Sequence, residues 1–129
     1  MTIELQMLAW TIVLGLVHLS LAAALSTQQR GLKWNAGARD DSPRALTGAA
    51  ARIGRAWVNF LETFAFFAAA VLAVVLTDRA DGETALGAQL YFWSRLLYVP
   101  VYAAGIAYLR TLIWALSLVG IVMLLLGLF

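Results

Sequence analysis

The chain contains no cysteine and only one histidine, His18, in 129 residues. No disulfide can form, no thiolate can hold a metal, and a lone imidazole does not make a metal cluster. Charge is scarce as well, at 12% of residues against roughly a quarter in soluble globular domains. The net charge of +2 makes no case for nucleic-acid binding. The opening "MTIELQMLAW" has Glu4 but neither Lys nor Arg, so it lacks the positive start of a secretory signal. There is no period-2 alternation to suggest strands. No internal repeat, low-complexity tail, GxxxG pair or coiled-coil seam is present.

What remains is apolar, with 63% hydrophobic residues. A single domain of this length could not hide that much apolar surface from water, so lipid is the expected solvent. A spanning helix needs roughly 20 mainly apolar residues. Segments of that kind run over about 4–26, 48–77, 84–105 and 110–128. The first apolar run reaches Leu25 and reads as a retained helix. The second is amphipathic in its first two turns and apolar afterwards. "STQQRGLKWNAGARDDSPRALTG" is the only long connection and is rich in turn formers. "TDRADGET" is short, with Thr84 placed to cap the helix that follows. The connection near Gly105 is nearly absent. Short connections imply antiparallel neighbours. The expected fold is therefore all-α, an integral membrane four-helix up-down bundle forming one domain over 1–129.

Six of the nine basic residues, Arg30, Lys33, Arg39, Arg44, Arg52 and Arg55, lie in or beside the first connection. The positive-inside rule puts that loop in the cytoplasm and both termini outside, in a multi-pass protein of the cell (inner) membrane.

Ionisable residues inside a bilayer are costly and face a bundle interior or a wet cavity. Arg52, Arg55, Asn59 and Glu62 fall within an arc of roughly 80° on the second helix. One reading is glue, with polar contacts holding helices together. The other is a pocket for a zwitterion, Glu62 accepting from an ammonium while Arg55 and Asn59 hold a carboxylate or amide. On the third helix Tyr91, Arg95, Tyr98 and Tyr102 share an arc of roughly 60°. Arg95 lies deep and needs a partner. Glu62 is the only acid well inside an apolar span, so a structural Arg95–Glu62 ion pair is expected. The tyrosines fit an interfacial belt or, with the Arg55 group at the same depth, a site. Pro100 removes a helical donor and should kink or end its helix. Arg110 is expected to open the fourth helix, where a cation at a helix N-terminus raises the local potential and favours a thiolate; snorkelling to headgroups is the plainer role. His18 reads as a helix–helix hydrogen-bonding residue.

"RAWVNFLE", "RLLYVPVY" and "YLR", in that order and in the expected helices, resemble the MAPEG family, the membrane-associated proteins in eicosanoid and glutathione metabolism. "GARDDSPRALTG" also resembles bacterial members. The resemblance spans the whole chain. It implies a homotrimer of four-helix subunits binding glutathione between subunits near the cytoplasmic face. Carried over, Arg55, Asn59 and Glu62 would hold the glutathione backbone, with Tyr98 and Tyr102 contributing. Arg110 would stabilise the glutathione thiolate, and Arg30 would reach a neighbouring subunit's site. The chain departs from some members at Thr63, at Trp57 and in the spacing from Tyr102 to Arg110.

Two functions are carried forward. The first is a glutathione-dependent transferase or peroxidase, with no metal. It would act on a lipophilic electrophile that enters from the bilayer along Phe60, Phe64, Leu112 and Trp114. The second is non-enzymatic: a small proton-coupled exporter using Glu62, or a structural, partner-binding subunit.

Overall fold

The computed structural model describes residues 1–129. It holds five helices and no strand: α1 (Ile3–Arg30), α2 (Leu32–Ala36), α3 (Gly48–Leu76), α4 (Gly82–Ala103) and α5 (Ala107–Leu126). Three of them, α1, α3 and α5, are long and apolar enough to cross a membrane. Four such spans were expected. The third expected segment is α4, a 22-residue helix whose sequence includes Glu83, Gln89 and Arg95, and it is not among those three.

The helix ends follow local chemistry. Thr2 caps α1 by accepting from the Leu5 N–H, and Glu4 sits in the first turn, where the helix dipole favours an acid. At the far end α1 continues to Arg30, past the expected 26, because "STQQR" holds nothing that breaks a helix. Gly31 then stops it at φ 91°, with its N–H returned to the Thr27 carbonyl. The five-residue α2 was not foreseen; Asn35 ties it back to α1 by donating to the Thr27 hydroxyl at 2.6 Å. For α4 the cap is Asp81 instead of Thr84. Its carboxylate accepts from the N–H groups of Glu83 and Thr84, while the Thr84 hydroxyl accepts from the Asp81 N–H, a reciprocal capping box.

Pro100 does not end α4 where it stands, since the helix runs on to Ala103. The C-terminal carbonyl of Ala103 then accepts from Arg52 Nε of α3 at 2.8 Å, a cation placed where a helix C-terminus favours one. Gly105, at φ 79°, lets residues 104–106 turn the chain into α5. Consequently α5 begins at Ala107, and Arg110 is its fourth residue, not its first.

Glycines set the closest approach in the bundle. A Cβ on Gly120 of α5 would stand 2.5 Å from the Gly87 carbonyl oxygen and 2.8 Å from the Tyr91 nitrogen of α4. These helices touch backbone to backbone. Adjoining that contact is the main core, which includes Leu8, Phe67, Val71, Val74, Tyr91 and Leu124, with the Phe67 and Tyr91 rings stacked 4.0 Å apart. Only 26 of 129 residues are buried, while Leu16, Val17, Phe66, Leu97 and Leu126 are among the large apolar side chains facing outward. For water this arrangement is inside out; for a bilayer it is the required one.

Candidate functional site

Three helix ends meet at one corner of the bundle: the N-terminal turns of α3, the last turn of α4 and the first turn of α5. Arg52 and Arg55 come from α3, Tyr102 from α4 and Arg110 from α5. Arg55 Nε donates to the Tyr102 hydroxyl at 3.0 Å. The guanidinium carbons of Arg55 and Arg110 lie 5.7 and 4.7 Å from the centre of the Tyr102 ring. One aromatic ring thus holds two cations in place. Every hydrogen bond that an arginine side chain donates in this protein ends on a backbone carbonyl, a tyrosine or an asparagine, and none on a carboxylate. Beside this pair, the residue before α5 is Ile106, which offers no side-chain cap and leaves the helix's leading N–H groups without that partner. The corner is therefore a concentrated positive potential with free donors, suited to a carboxylate, a thiolate or another small anion.

Deeper in the bundle the expected ion pair gives way to a different arrangement. Arg95 is 1% exposed, and its Nη1 donates to Asn59 Oδ1 at 2.7 Å. The Tyr98 ring covers its guanidinium at 4.4 Å, while its Nε has no partner. Glu62 accepts no hydrogen bond from Arg95. The reason lies in the face of α3 that is buried. Ile53, Ala56, Phe60, Thr63 and Phe67 point inward, and this rotation leaves Arg55 and Glu62 exposed and Asn59 half-buried between. An amide also satisfies a buried guanidinium without desolvating a second charge.

Of the other expected site residues, Tyr98 is buried and packs edge-on against Tyr102 at 5.4 Å. Arg30 lies elsewhere, at the last residue of α1, where its Nε donates to the Arg44 carbonyl of the following connection at 2.8 Å. His18 does link helices: its Nε2 lies 3.2 Å from the Ile53 carbonyl of α3, and its ring meets Trp57 edge-on. Two polar contacts were not foreseen. The Thr63 and Tyr91 hydroxyls are 2.9 Å apart inside the core. Glu4, 2% exposed, accepts from the Thr84 hydroxyl across 80 residues of sequence. A carboxylate two residues after a capping threonine looks like helix-dipole chemistry, and nothing local signals a partner so distant.

Apolar helices packed antiparallel, with their large side chains outward and a cationic–aromatic corner at one end, define a multi-pass helical membrane protein. A sequence model of the MAPEG family matches residues 7–129, nearly the whole chain, and the protein belongs to that family. No curated protein and no solved structure gives a significant match.

Proposed function

We propose that this protein is a glutathione-dependent transferase or peroxidase of the membrane, acting on lipophilic electrophiles as a homotrimer of four-span subunits, with α4 as the fourth span. The observation that carries the reading is the convergence of Arg55 and Arg110 on Tyr102 with no carboxylate to neutralise them. Glutathione brings carboxylates and a thiol, the groups such a corner attracts. Arg55, Asn59 and Glu62 hold its backbone, Tyr98 and Tyr102 shape the wall, and Arg110 stabilises the thiolate. The thiolate sulfur attacks the electrophilic carbon of a substrate arriving through the bilayer, forming a thioether as the carbon's leaving group or ring oxygen takes the electron pair. The exposure of Arg55 and Glu62 on the outer face of α3 supports a site completed by a neighbouring subunit. Arg30, the last residue of α1, serves the neighbour's site in this scheme only if it leaves the Arg44 carbonyl. The same scheme places the first connection in the cytoplasm, both termini outside, and the protein in the cell's inner membrane.

Titration calorimetry on detergent-purified protein tests this: millimolar glutathione should give a saturable heat, and its absence sinks the proposal. One observation favours the exporter reading, namely that Glu62 is exposed on an apolar span and accepts no hydrogen bond within the protomer. Efflux from vesicles that follows a pH gradient and vanishes in Glu62→Gln would support that reading over the enzyme.

A further inference from the structure

The end of α1 and the connection after it build a second cationic site that, Arg30 apart, the glutathione scheme does not use. Gly31 breaks the helix at φ 91° and lets α2 leave the α1 axis. Trp34 of α2 then has two cations over its ring, with the guanidinium carbons of Arg30 and Arg39 at 5.3 and 5.2 Å from its ring centre. Its indole N–H donates to the Asp41 carbonyl at 3.2 Å, which ties the loop to α2. Arg39 also donates from Nε and Nη2 to the Asn35 carbonyl, so its guanidinium is fixed. Arg30, Lys33, Trp34 and Arg39 line an open cavity of about 610 Å³, and Asp40 and Asp41 line it as well, so three cations face two carboxylates. Neither aspartate accepts a hydrogen bond from Arg30 or Arg39, whose side-chain bonds end on backbone carbonyls.

The depth of this cavity selects its ligand. The apolar run of α1 ends at Leu25 and the helix stops at Arg30. At 1.5 Å per residue this puts Arg30 roughly 7 Å beyond the hydrocarbon, within the headgroup layer of a bilayer. Leu32, 69% exposed at the start of α2, presents an apolar side chain beside the cavity. An indole, an exposed leucine and fixed cations at one level match a lipid with an anionic headgroup: phosphate toward the guanidiniums and Lys33, acyl chains toward Leu32 and α1. A soluble protein partner would not need that depth.

We propose that the Arg30–Lys33–Trp34–Arg39 cavity binds the phosphate of an anionic phospholipid and so anchors the first connection to the membrane surface. The anchor reaches α3 through Gln29, whose side chain accepts from the Thr47 N–H at 2.9 Å and donates to the Thr47 carbonyl at 3.1 Å, just ahead of the helix carrying Arg52 and Arg55.

The test is native mass spectrometry of the protein released from nanodiscs of equimolar phosphatidylcholine and phosphatidylglycerol. The protein should retain phosphatidylglycerol preferentially. The preference should fall about fivefold for each cation removed in Lys33→Gln and Arg39→Gln, and persist in Lys33→Arg. Trp34→Leu keeps the charge but removes the stacking surface, and should weaken the preference by a smaller factor. In pure phosphatidylcholine these variants should melt with the parent, so that a variant damaged in folding is recognised and the remaining variants decide. Equal retention of the two lipids, or a preference unchanged in the Lys33→Gln/Arg39→Gln protein, overturns the proposal. Displacement of phosphatidylglycerol by inorganic phosphate reassigns the site to a soluble anion and overturns it too.

Discussion

Arg95 shows how a buried charge is held without an opposite charge. Its guanidinium has one strong acceptor, Asn59 Oδ1, and the face of Tyr98. Polar contacts between membrane helices average about 0.6 kcal/mol, because the separated helices find other partners. A bond to a charge sealed at 1% exposure belongs instead with charged hydrogen bonds, at about 2 kcal/mol. Asn59→Ala should therefore destabilise the bundle by about 2 kcal/mol in denaturant titrations, while Arg95→Met paired with Asn59→Leu should recover most of that loss. If the double variant is no more stable than the single one, the charge is satisfied elsewhere. Arg110 calls for a kinetic test. Arg110→Ala should lower turnover by about 100-fold, the scale of removing one charge-stabilising donor, with a much smaller change in glutathione affinity; equal losses in both would make Arg110 a binding residue only. Both polar stripes were legible from spacing, since 3.6-residue periodicity fixes which residues share a face. The Arg95–Glu62 pair was misjudged because periodicity does not say how a helix is rotated toward its neighbours. That rotation is set by Phe60, Thr63 and Phe67 filling the core.

The helices themselves were largely legible, because the apolar runs are long and their ends carry ordinary cap chemistry. The expected 48–77 lies within one residue of α3. The capping of α4 was harder to read, as Asp81 and Thr84 are both good caps and only the reciprocal bonds decide between them. The hydrogen bonds from the Thr84 and Glu83 backbones to the Asp81 side chain hold its pKa below the ordinary 3.8. A depressed folded pKa means the cap's stabilisation is complete above the unfolded value and lost as pH falls through the folded one. Melting temperature should thus decline more on acidification below pH 3.8 in the parent than in Asp81→Asn, which keeps a capping oxygen but cannot titrate. Parallel acid profiles would remove Asp81 from the account. The α4–α5 contact was not legible, since Gly87 and Gly120 sit in different helices with no motif to join them. A Cβ on Gly120 meets backbone atoms that cannot rotate away. Gly120→Ala should cost about 1–3 kcal/mol of stability, the usual scale of overpacking. Gly82→Ala, where a Cβ meets nothing within 4 Å, should be nearly silent.

The whole molecule sets polar side chains on a surface made for lipid. Arg55 and Glu62 are exposed on α3 among Val58, Leu61 and Phe66, which face the same way. Composition made the membrane legible, but it could not show which outward faces meet lipid and which meet protein, because both are apolar. Glu62 separates the two cases. If it faced acyl chains, the charge would cost about 3 kcal/mol, and Glu62→Leu would stabilise the protein by a comparable amount. If a neighbouring subunit covers it, the carboxylate has found partners across the interface, and removing it leaves them unpaired. The second case follows from the proposed trimer. Light scattering with the detergent contribution subtracted should give three protomers for the parent and a shift toward smaller species on dilution for Glu62→Leu, with helix content unchanged. A parent that stays monomeric, or a Glu62→Leu variant that assembles as before and melts higher, would turn α3 back toward lipid and leave the Arg55–Tyr102–Arg110 corner to work within one subunit.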